Sequence, residues 1–307
     1  MSDVTLQINL APFDLRHAEV ILPHQLRTWG GQVSEVLLVV DRMESQARKR
    51  EERGDLGAAR AGLDEIIARA VAEHPHVRVV DVDTSPATVD RVAQAFSPKR
   101  MPLADFRGRP FLAYLYGLEE AANPRVLHLD SDMLFGGGSQ TWMAEAEAWL
   151  ARDPSLIACN PLPGPPLDRD ELLDQPFTVP ERVAPRAFRF GHLSSRIFLA
   201  DVERWRTDLR PLPITRTKGI LRRIRGEVRR QPNFIPLEDV ISNVMATSGT
   251  KRIDFLGEGP GMWFVHPDHR TERFYSRLAE LVARIEAGDV TEEQRGRYDL
   301  VDSMLEG

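Results

Sequence analysis

The sequence predicts an α/β fold in which a mostly parallel, Rossmann-like sheet is flanked by helices. Strand-like and helix-like segments alternate through the first half of the chain. The strand-like runs are almost continuously apolar, as in strands that helices cover on both faces. Aspartates follow several of these runs, at the carboxyl ends where open α/β sheets bind their ligands.

The first half of the chain carries the regular part of this pattern. Four strands are predicted there: Thr5–Asn9, Glu35–Val40, Val77–Val82 and Val126–Leu129. The helical segments between them are predicted at about 16–29, 43–73 with an interruption near Gly54, and 110–122. A loop at Ala11-Pro12-Phe13 follows the first strand.

The second half of the chain is less regular. Prolines are frequent in residues 160–186, which predicts a long surface loop. Strands are predicted at His192–Asp201, Asp254–Leu256 and Met262–Val265, and a helix at Asp239–Ala246. Two terminal helices are predicted in 271–307, the second starting near Thr291.

Composition narrows the class of protein. The 307 residues can bury a sizeable core, and a formal net charge of −6 gives no general attraction to nucleic acid. The single cysteine, Cys159, lies in an apolar run and is expected to be a buried, inert thiol. No apolar stretch approaches the ~20 residues that span a bilayer, and the N-terminus lacks a signal-peptide pattern. We therefore expect a cytoplasmic protein.

The most informative motif is Asp130-Ser131-Asp132, which directly follows the fourth predicted strand. Two carboxylates one residue apart, with Gly136-Gly137-Gly138 beyond, provide hard oxygen ligands on a backbone with conformational freedom. Such a site suits Mg²⁺ or Mn²⁺ held by carboxylates together with substrate phosphates. Asp41 and Asp83 follow the second and third strands and are expected at the same edge of the sheet.

Residues 107–133, RGRPFLAYLYGLEEAANPRVLHLDSDM, resemble the central stretch of glycosyltransferases with the GT-A fold. In family 2 and its relatives, a basic, glycine-containing segment opens a helix that leads into the strand carrying the DxD motif. The resemblance implies a metal-dependent enzyme that moves a sugar from a nucleotide-diphosphate donor to a hydroxyl acceptor. It further implies a single domain, 1–307, with a nucleotide-sugar-binding half at 1–140, an acceptor-side half at 141–270 and C-terminal helices at 271–307.

The same resemblance implies roles for individual residues at the donor. Asp132 would bind the cation, while Asp130 would contact the metal or the donor ribose, with Ser131 between them at the donor. Asp41 would contact the base, and Ala11 and Pro12 the nucleoside. Arg107 and Arg109 stand where the family places donor-contacting residues, and a guanidinium there can bind phosphate with two hydrogen bonds. Ordinary surface arginines before a helix are the alternative.

Glu238 and Asp239 open the helix predicted in the second half. Acids at a helix N-terminus are stabilised by the helix dipole, which is the simpler interpretation. In inverting GT-A enzymes an acidic pair in this region supplies the general base, because a carboxylate can take the proton of the attacking hydroxyl. By the family pattern Asp239 is the base and Glu238 the second choice.

His266 follows the last predicted strand, and in several GT-A enzymes a C-terminal histidine completes the metal coordination. This role would favour Mn²⁺ over Mg²⁺, since imidazole suits Mg²⁺ poorly. His269 and Asp268 are substitutes for this ligand, and a loop-capping histidine is the alternative. Trp263 is a candidate for stacking on an acceptor sugar, with a core position equally open.

Arginines are dense in residues 216–230, which is unusual in an acidic chain. A solvated helix face is the default interpretation. The alternatives are a lid over the donor phosphates and a patch for a phosphorylated or membrane-held acceptor, which would permit peripheral membrane contact.

Other functions remain open from the sequence. A retaining glycosyltransferase is the first alternative, if the acid pair only orients the substrate. A phosphatase of the haloacid dehalogenase type normally carries its DxD on the first strand, whereas three strands precede it here. A nucleotidyltransferase should have a glycine-rich first loop, which INLAPFDLRHA is not. A nucleotide-sugar-binding protein without activity is the last alternative.

Overall fold

In the computed structural model, residues 2–43, 55–96, 101–175, 180–217 and 233–306 are described. The strands in these ranges are β1 Ser2–Leu10, β2 Val33–Val40, β3 Val77–Asp81, β4 Arg125–Asp130, β5 Leu134–Gly136, β6 Leu156–Pro163, β7 Glu181–Ala184, β8 Ala187–Phe190, β9 Ile197–Asp201, β10 Lys251–Phe255 and β11 Trp263–Val265. The helices are α1 Leu15–Trp29, α2 Leu56–Glu73, α3 Pro86–Phe96, α4 Leu112–Glu120, α5 Trp142–Arg152, α6 Val202–Asp208, α7 Leu237–Ser248 and α8 Glu272–Glu286.

The strands form one large sheet in the order β3-β2-β1-β4-β9-β6-β10-β8-β7. The first four are parallel to one another, and β6, β10 and β7 run in the same direction. Within this order of described strands, β9 and β8 run in the opposite direction. A short side branch joins β11 to β6 and β5. The predicted fold class, a mostly parallel sheet flanked by helices, is confirmed.

Helices cover both faces because the side chains of each central strand alternate. Leu38 of β2 packs in the cluster that includes α1, α2 and α5. Its neighbour Leu37 packs in the cluster that includes α3, α4, α6 and α7. Both side chains are fully buried, and burying one such side chain contributes roughly 1.5–3 kcal/mol. The sheet is therefore held from both sides, and its carboxyl edge is left for the loops.

Three helices were not predicted from the sequence: α3, α5 and α6. In α5 the buried residues Trp142, Ala146 and Leu150 are spaced by four, the spacing of one helix face. The Ser139 hydroxyl accepts the Trp142 amide N–H at 3.1 Å and so satisfies one of the free donors at the helix start.

The predicted loop at 160–186 is shorter than expected, because β6 continues to Pro163 and β7 begins at Glu181. Prolines at 161 and 163 are compatible with the strand, since the amide between them, that of Leu162, makes the bond to the Met262 carbonyl at 3.1 Å. The strand predicted from His192 begins only at Ile197.

The prediction of a second terminal helix near Thr291 is wrong. Short 3-10 turns at Glu292–Gln294 and Asp302–Leu305 occupy this region. The Gln294 side chain donates to the carbonyls of Arg297 and Asp299 and accepts the Val301 N–H at 2.9 Å. These bonds replace the backbone ladder that a helix would need.

The long helical stretch predicted at 43–73 is a helix only from Leu56, and residues 44–54 lie outside the described ranges. Asp55 begins it by accepting the N–H groups of Gly57 and Ala58 at 2.8 and 3.1 Å. No helix in the described part of the chain combines the length and apolar character needed to cross a membrane. The division at residues 140 and 270 stays a prediction, and one sheet contains strands from both sides of residue 140.

Candidate active site

A cleft of about 1480 Å³ lies at the carboxyl ends of the parallel strands β1, β2 and β4. Of the residues that the sequence predicted for the site, Pro12, Trp263 and His269 do not line it. Those that do are Ala11, Asp41, Arg107, Arg109, Asp130, Ser131, Asp132, Glu238, Asp239, His266 and Asp268. Pro12 is buried at the start of the 3-10 turn that follows β1. The parallel strands explain this convergence, because their carboxyl ends meet at one edge.

Asp130 is the last residue of β4, and its carboxylate is held by an aromatic neighbour. The Tyr114 hydroxyl of α4 donates to Asp130 Oδ1 at 2.8 Å. Burial, together with the nearby Asp130 carboxylate, raises the pKa of Tyr114 well above its usual value. Tyr114 therefore remains a proton donor and fixes the orientation of Asp130.

Asp132 makes an ion pair with a residue that sequence reasoning missed. Arg270 Nη1 lies 3.1 Å from Asp132 Oδ2, and the Asp132 side chain is only 12% exposed. The same Arg270 nitrogen lies 3.5 Å from His17 Nε2. Arg270 belongs to the loop after β11, so no local sequence signal links it to the DSD motif.

Helix α1 holds the DSD turn from below through buried polar side chains. The Gln25 amide donates to the carbonyls of Asp130 and Met133 at 2.9 and 3.1 Å. His17 Nε2 lies 3.0 Å from the Ser131 hydroxyl. His17 and Gln25 are fully buried and eight positions apart, so they share one face of α1. Polar residues on the core-facing side of a helix are the signal that could have revealed them.

A second contact of α1 fixes the strand beyond the turn. His24 Nε2 accepts the Phe135 N–H at 2.9 Å, so the proton of the neutral ring lies on Nδ1 and points to Glu286 Oε1, 2.7 Å away. Burial lowers the pKa of His24, which favours this neutral form. Glu286 lies at the end of α8, and the cleft floor is thereby tied to the C-terminal helix.

Asp14 is a further acidic residue in the cleft that sequence reasoning missed. Its carboxylate accepts the Ala11 N–H at 2.8 Å, which shapes the loop after β1. Burial raises the pKa of Asp14 to about 6, and the Arg270 guanidinium opposes that shift. Burial likewise raises the pKa of Asp41, and the charge of Asp14 adds to the effect.

The acid pair lies in the first turn of α7, and its two members have different surroundings. Glu238 Oε2 accepts the Ser195 amide at 2.9 Å and the Ser195 hydroxyl at 3.1 Å. Burial raises the pKa of Asp239, the charge of Glu238 adds to the effect, and Arg107 opposes it. Glu238 is thus held in place, while Asp239 is a stronger base than an ordinary aspartate.

His266 is oriented by a carboxylate rather than free to rotate. Its Nδ1 lies 3.0 Å from Asp299 Oδ1, and its ring stacks on Tyr298 with centroids 5.6 Å apart. This arrangement leaves Nε2 for a ligand, as in many metal-binding histidines. Ligand atoms of His266, Asp268 and Asp299 lie within 4.8 Å of one another, whereas Asp130 and Asp132 are not members of that group among the described residues.

Some residues singled out from the sequence lie elsewhere. Trp263 does not line the cleft: its indole packs against Gly136, where a Cβ would come within 2.0 Å of it. Asp83 lies outside the cleft as well and accepts the N–H and hydroxyl of Ser85 at 2.8 Å, ahead of α3. Cys159 is buried, as predicted. Of the basic stretch 216–230, only residues 216 and 217 are described, and Arg216 lines the cleft.

The chemistry of the cleft suits a hard cation. Its lining includes eight carboxyl groups against five guanidinium groups, so a diphosphate entering alone would meet a net negative surrounding. Within the described ranges, the side-chain hydrogen bonds and ion pairs of Asp130 and Asp132 use one oxygen of each carboxylate. A second oxygen remains on each for coordination, and one or two carboxylates with substrate phosphates suffice for Mg²⁺.

Comparisons with known proteins give structural likeness without sequence likeness. No family model and no curated protein matches the chain. Among solved structures, an active-site mutant of LgtC is 11% identical, with 95% of this chain and 99% of that chain covered and a TM-score of 0.42. The galactosyltransferase LgtC in complex with donor and acceptor sugar analogues is 11% identical, with 95% of this chain and 99% of that chain covered and a TM-score of 0.38. TarS of S. aureus in complex with UDP-GlcNAc is 11% identical, with 94% of this chain and 68% of that chain covered and a TM-score of 0.43. These values are too low to transfer an activity or a substrate, so the functional argument rests on the cleft itself.

Proposed function

We propose that this protein is a metal-dependent glycosyltransferase that moves a sugar from a nucleotide-diphosphate donor to a hydroxyl acceptor. One observation carries the proposal. The cleft places a DSD pair at the end of a central strand together with a second acid pair at the start of α7. Transfer from a diphosphate needs both a site for the leaving group and a base for the incoming hydroxyl, and the two pairs answer these needs.

The donor occupies the end of the cleft beneath β1, β2 and β4. Ala11 borders the nucleoside, Asp41 contacts the base, and Asp130 and Ser131 face the ribose and diphosphate. Asp130 and Asp132 would hold Mn²⁺ or Mg²⁺, and His266 would be the third ligand when the cation is Mn²⁺. When bound, the cation neutralises the charge that develops on the departing diphosphate.

Asp239 is the general base. It takes the proton of the acceptor hydroxyl while the oxygen forms a bond to the anomeric carbon and the bond from that carbon to the diphosphate breaks. Its raised pKa makes proton acceptance easier than for an exposed aspartate. Glu238, fixed by Ser195, orients the substrate and is the second choice for the base. This direct displacement inverts the anomeric configuration, and NMR of the product's anomeric proton distinguishes it from retention.

The first experiment is a thermal-shift screen of nucleoside diphosphates and their sugars, with and without Mn²⁺. A ligand that binds the folded state raises the apparent stability by mass action. We expect one sugar nucleotide class to raise the melting temperature only when Mn²⁺ is present. A shift that is equal without metal contradicts metal dependence.

The second experiment uses a matched pair of double variants. Asp130→Ala with Asp132→Ala removes the DSD pair, and Asp81→Ala with Asp83→Ala removes two acids of the same spacing at the carboxyl end of β3, outside the cleft. Calorimetry on folded protein should show Mn²⁺ and sugar-nucleotide binding lost in the first and kept in the second. Wild-type binding by the first variant would refute the assignment.

The remaining alternatives give different results. A phosphatase releases phosphate from generic phosphomonoesters, and a nucleotidyltransferase releases pyrophosphate from a nucleoside triphosphate. A nucleotide-sugar-binding protein without activity binds the donor but transfers its sugar neither to water nor to an acceptor. Peripheral membrane contact through 216–230 stays a prediction, and most of that segment lies outside the described residues.

A further inference from the structure

We infer that the acceptor carries a phosphate group, which Arg107, Arg109 and Arg216 bind on the wall of the cleft beside Asp239. The inference rests on the proposed glycosyl transfer for the identity of the ligand as an acceptor. The anion site itself follows from the arrangement of the three arginines, and it differs from the donor contact that the sequence predicted for Arg107 and Arg109.

The loop that carries Arg107 and Arg109 is held in one conformation by a buried carboxylate. Asp105 is 1% exposed and accepts the backbone N–H groups of Arg107 and Arg109 at 2.7 and 2.9 Å. Gly108 closes the turn between them with a φ of +74°, in the region that glycine adopts most readily. The two side chains therefore start from a fixed backbone and both line the cleft.

Arg216 reaches the same wall from a distant part of the chain. The Phe106 N–H donates to the Phe234 carbonyl at 2.8 Å, and Arg216 forms a backbone bridge with Phe234. Two of the guanidinium groups also lie near aromatic rings: Arg107 Cζ is 5.2 Å from the Phe106 centroid and Arg216 Cζ is 5.9 Å from that of Phe234. Backbone bonds thus join the two segments that supply the positive charges.

These three arginines have no ion-pair partner among the described residues, although most arginines of the described ranges do. Elsewhere in the cleft, Arg270 is paired with Asp132, and Arg196 donates to the Tyr298 hydroxyl at 2.6 Å. Three guanidinium groups that have no ion-pair partner in the described ranges, on segments joined by backbone hydrogen bonds, are arranged to receive an anion. Planar guanidinium groups match phosphate oxygens with two parallel bonds each.

The location of the site assigns the anion to the acceptor. The Phe106 N–H bond to the Phe234 carbonyl holds the loop of Arg107 against the segment that leads into the first turn of α7, where Asp239 lies, and both side chains line the cleft. The donor diphosphate would have its own cationic partners, namely a cation held by the DSD pair and Arg270, which pairs with Asp132. Three guanidinium groups exceed what a neutral sugar or a single carboxylate needs, which favours a phosphate.

The binding test uses glycerol 3-phosphate as the probe and glycerol as its uncharged match, with EDTA present so that the cation end takes no part. Wild-type protein should bind glycerol 3-phosphate in calorimetry and show no heat with glycerol. The combined variant Arg107→Ala, Arg109→Ala, Arg216→Ala should weaken binding by about tenfold or more, as expected for loss of charge-assisted hydrogen bonds.

Two control variants make the test specific. Arg152→Ala removes an exposed arginine outside the cleft that has no carboxylate partner in the described structure, and it should bind the probe like wild type. Arg270→Ala removes the guanidinium group beside Asp132, and this variant should also still bind glycerol 3-phosphate. The inference is overturned if the triple variant binds the probe as tightly as wild type, or if Arg270→Ala alone abolishes binding.

Vesicles distinguish two sources of the phosphate. The phosphate is assigned to a lipid headgroup if the protein sediments with phosphatidic acid vesicles but not with phosphatidylcholine vesicles, and if the triple variant no longer sediments with phosphatidic acid vesicles. Binding of soluble glycerol 3-phosphate without sedimentation assigns it to a soluble acceptor. Both results support the site, and absence of binding to either form contradicts it.

The outcome is separable from that of the proposed function. If the chain binds no sugar nucleotide with Mn²⁺ while glycerol 3-phosphate binding still depends on the three arginines, the phosphate site stands and its assignment to an acceptor fails. If transfer is observed, Arg107→Ala should raise the KM of a phosphorylated acceptor about tenfold and leave the donor Kd unchanged. A rise in the donor Kd instead returns Arg107 to the donor.

Discussion

Arg270 Nη1 lies 3.1 Å from Asp132 Oδ2, at the carboxylate that is proposed to hold the cation. A guanidinium and a divalent cation at one carboxylate repel each other, so each is expected to weaken the binding of the other. The diphosphate of a donor would change this balance, because its negative charges can interact with both the guanidinium and the divalent cation. Under the proposed function, the pair would therefore link cation binding to donor binding.

The first prediction concerns this pair. Arg270→Ala should tighten Mn²⁺ binding in the absence of nucleotide by roughly tenfold, because a competing positive charge at a partly buried carboxylate is removed. Calorimetric Mn²⁺ titration measures it. Arg270→Lys, which keeps the charge, is the control and should remain near wild type. Unchanged or weaker Mn²⁺ binding by Arg270→Ala contradicts the competition.

The second prediction separates the members of the acid pair. Asp239→Asn should lower kcat by roughly 10²–10⁴-fold and leave the donor Kd unchanged, because only proton removal from the acceptor is lost. Glu238→Gln should have a smaller effect on kcat, since its amide oxygen can still accept the Ser195 N–H. Retained turnover in Asp239→Asn would refute the assignment of the base.

The third prediction concerns the dependence of stability on pH. The pKa of Asp14 is about 6 in the folded protein, above its usual value of 3.8, so the folded state holds this proton more tightly than the unfolded state. The stabilisation is complete below the unfolded pKa and is lost as the pH rises through about 6.

The Asp14→Asn variant has no carboxyl group to ionise at this position, so it does not lose this stabilisation as the pH rises. Its amide oxygen can still accept the Ala11 N–H. Relative to wild type, its free energy of unfolding should increase by about 2 kcal/mol between pH 4 and pH 7.5. Urea unfolding at the two pH values measures this difference. A difference that is the same at both values would mean that the Asp14 carboxyl is not the group responsible.

The fourth prediction compares two glycines beyond the DSD turn. A Cβ at Gly136 would come within 2.0 Å of the buried Trp263 indole, whereas a Cβ at Gly138 would meet nothing within 4 Å. Gly136→Ala should therefore cost about 3 kcal/mol or more from overpacking. Gly138→Ala should cost about 1 kcal/mol, because its φ of +78° is unfavourable for alanine. Equal losses in urea unfolding would contradict the packing of Trp263 on β5.

The sequence was sufficient for the parts of the site that lie at strand ends. Apolar runs that stop at Asp41 and Asp130 predict both the strands and their shared edge, and the structure places both residues in the cleft. Asp83 follows the same pattern but serves the start of α3 instead. An acid after a strand can cap the next helix or face a ligand, and local sequence does not distinguish the two.

Other parts could not be predicted because they depend on contacts between distant segments. Nothing near Asp132 indicates that Arg270 will pair with it, and nothing near Ser131 indicates His17. Trp263 was considered for sugar stacking because aromatic residues serve both in cores and in carbohydrate sites. Its burial against Gly136 became visible only when β5 and β11 were paired.

The contact between His24 and Glu286 has an evolutionary consequence. Because His24 receives the Phe135 amide on one nitrogen and faces Glu286 with the other, an exchange at position 286 leaves the buried His24 without its carboxylate, and an exchange at position 24 leaves the partly exposed Glu286 with Arg27 alone. Homologous sequences should accordingly change positions 24 and 286 together, although the two are far apart along the chain. A collection of such homologues in which they vary independently would indicate that the C-terminal helix evolved without regard to the cleft floor.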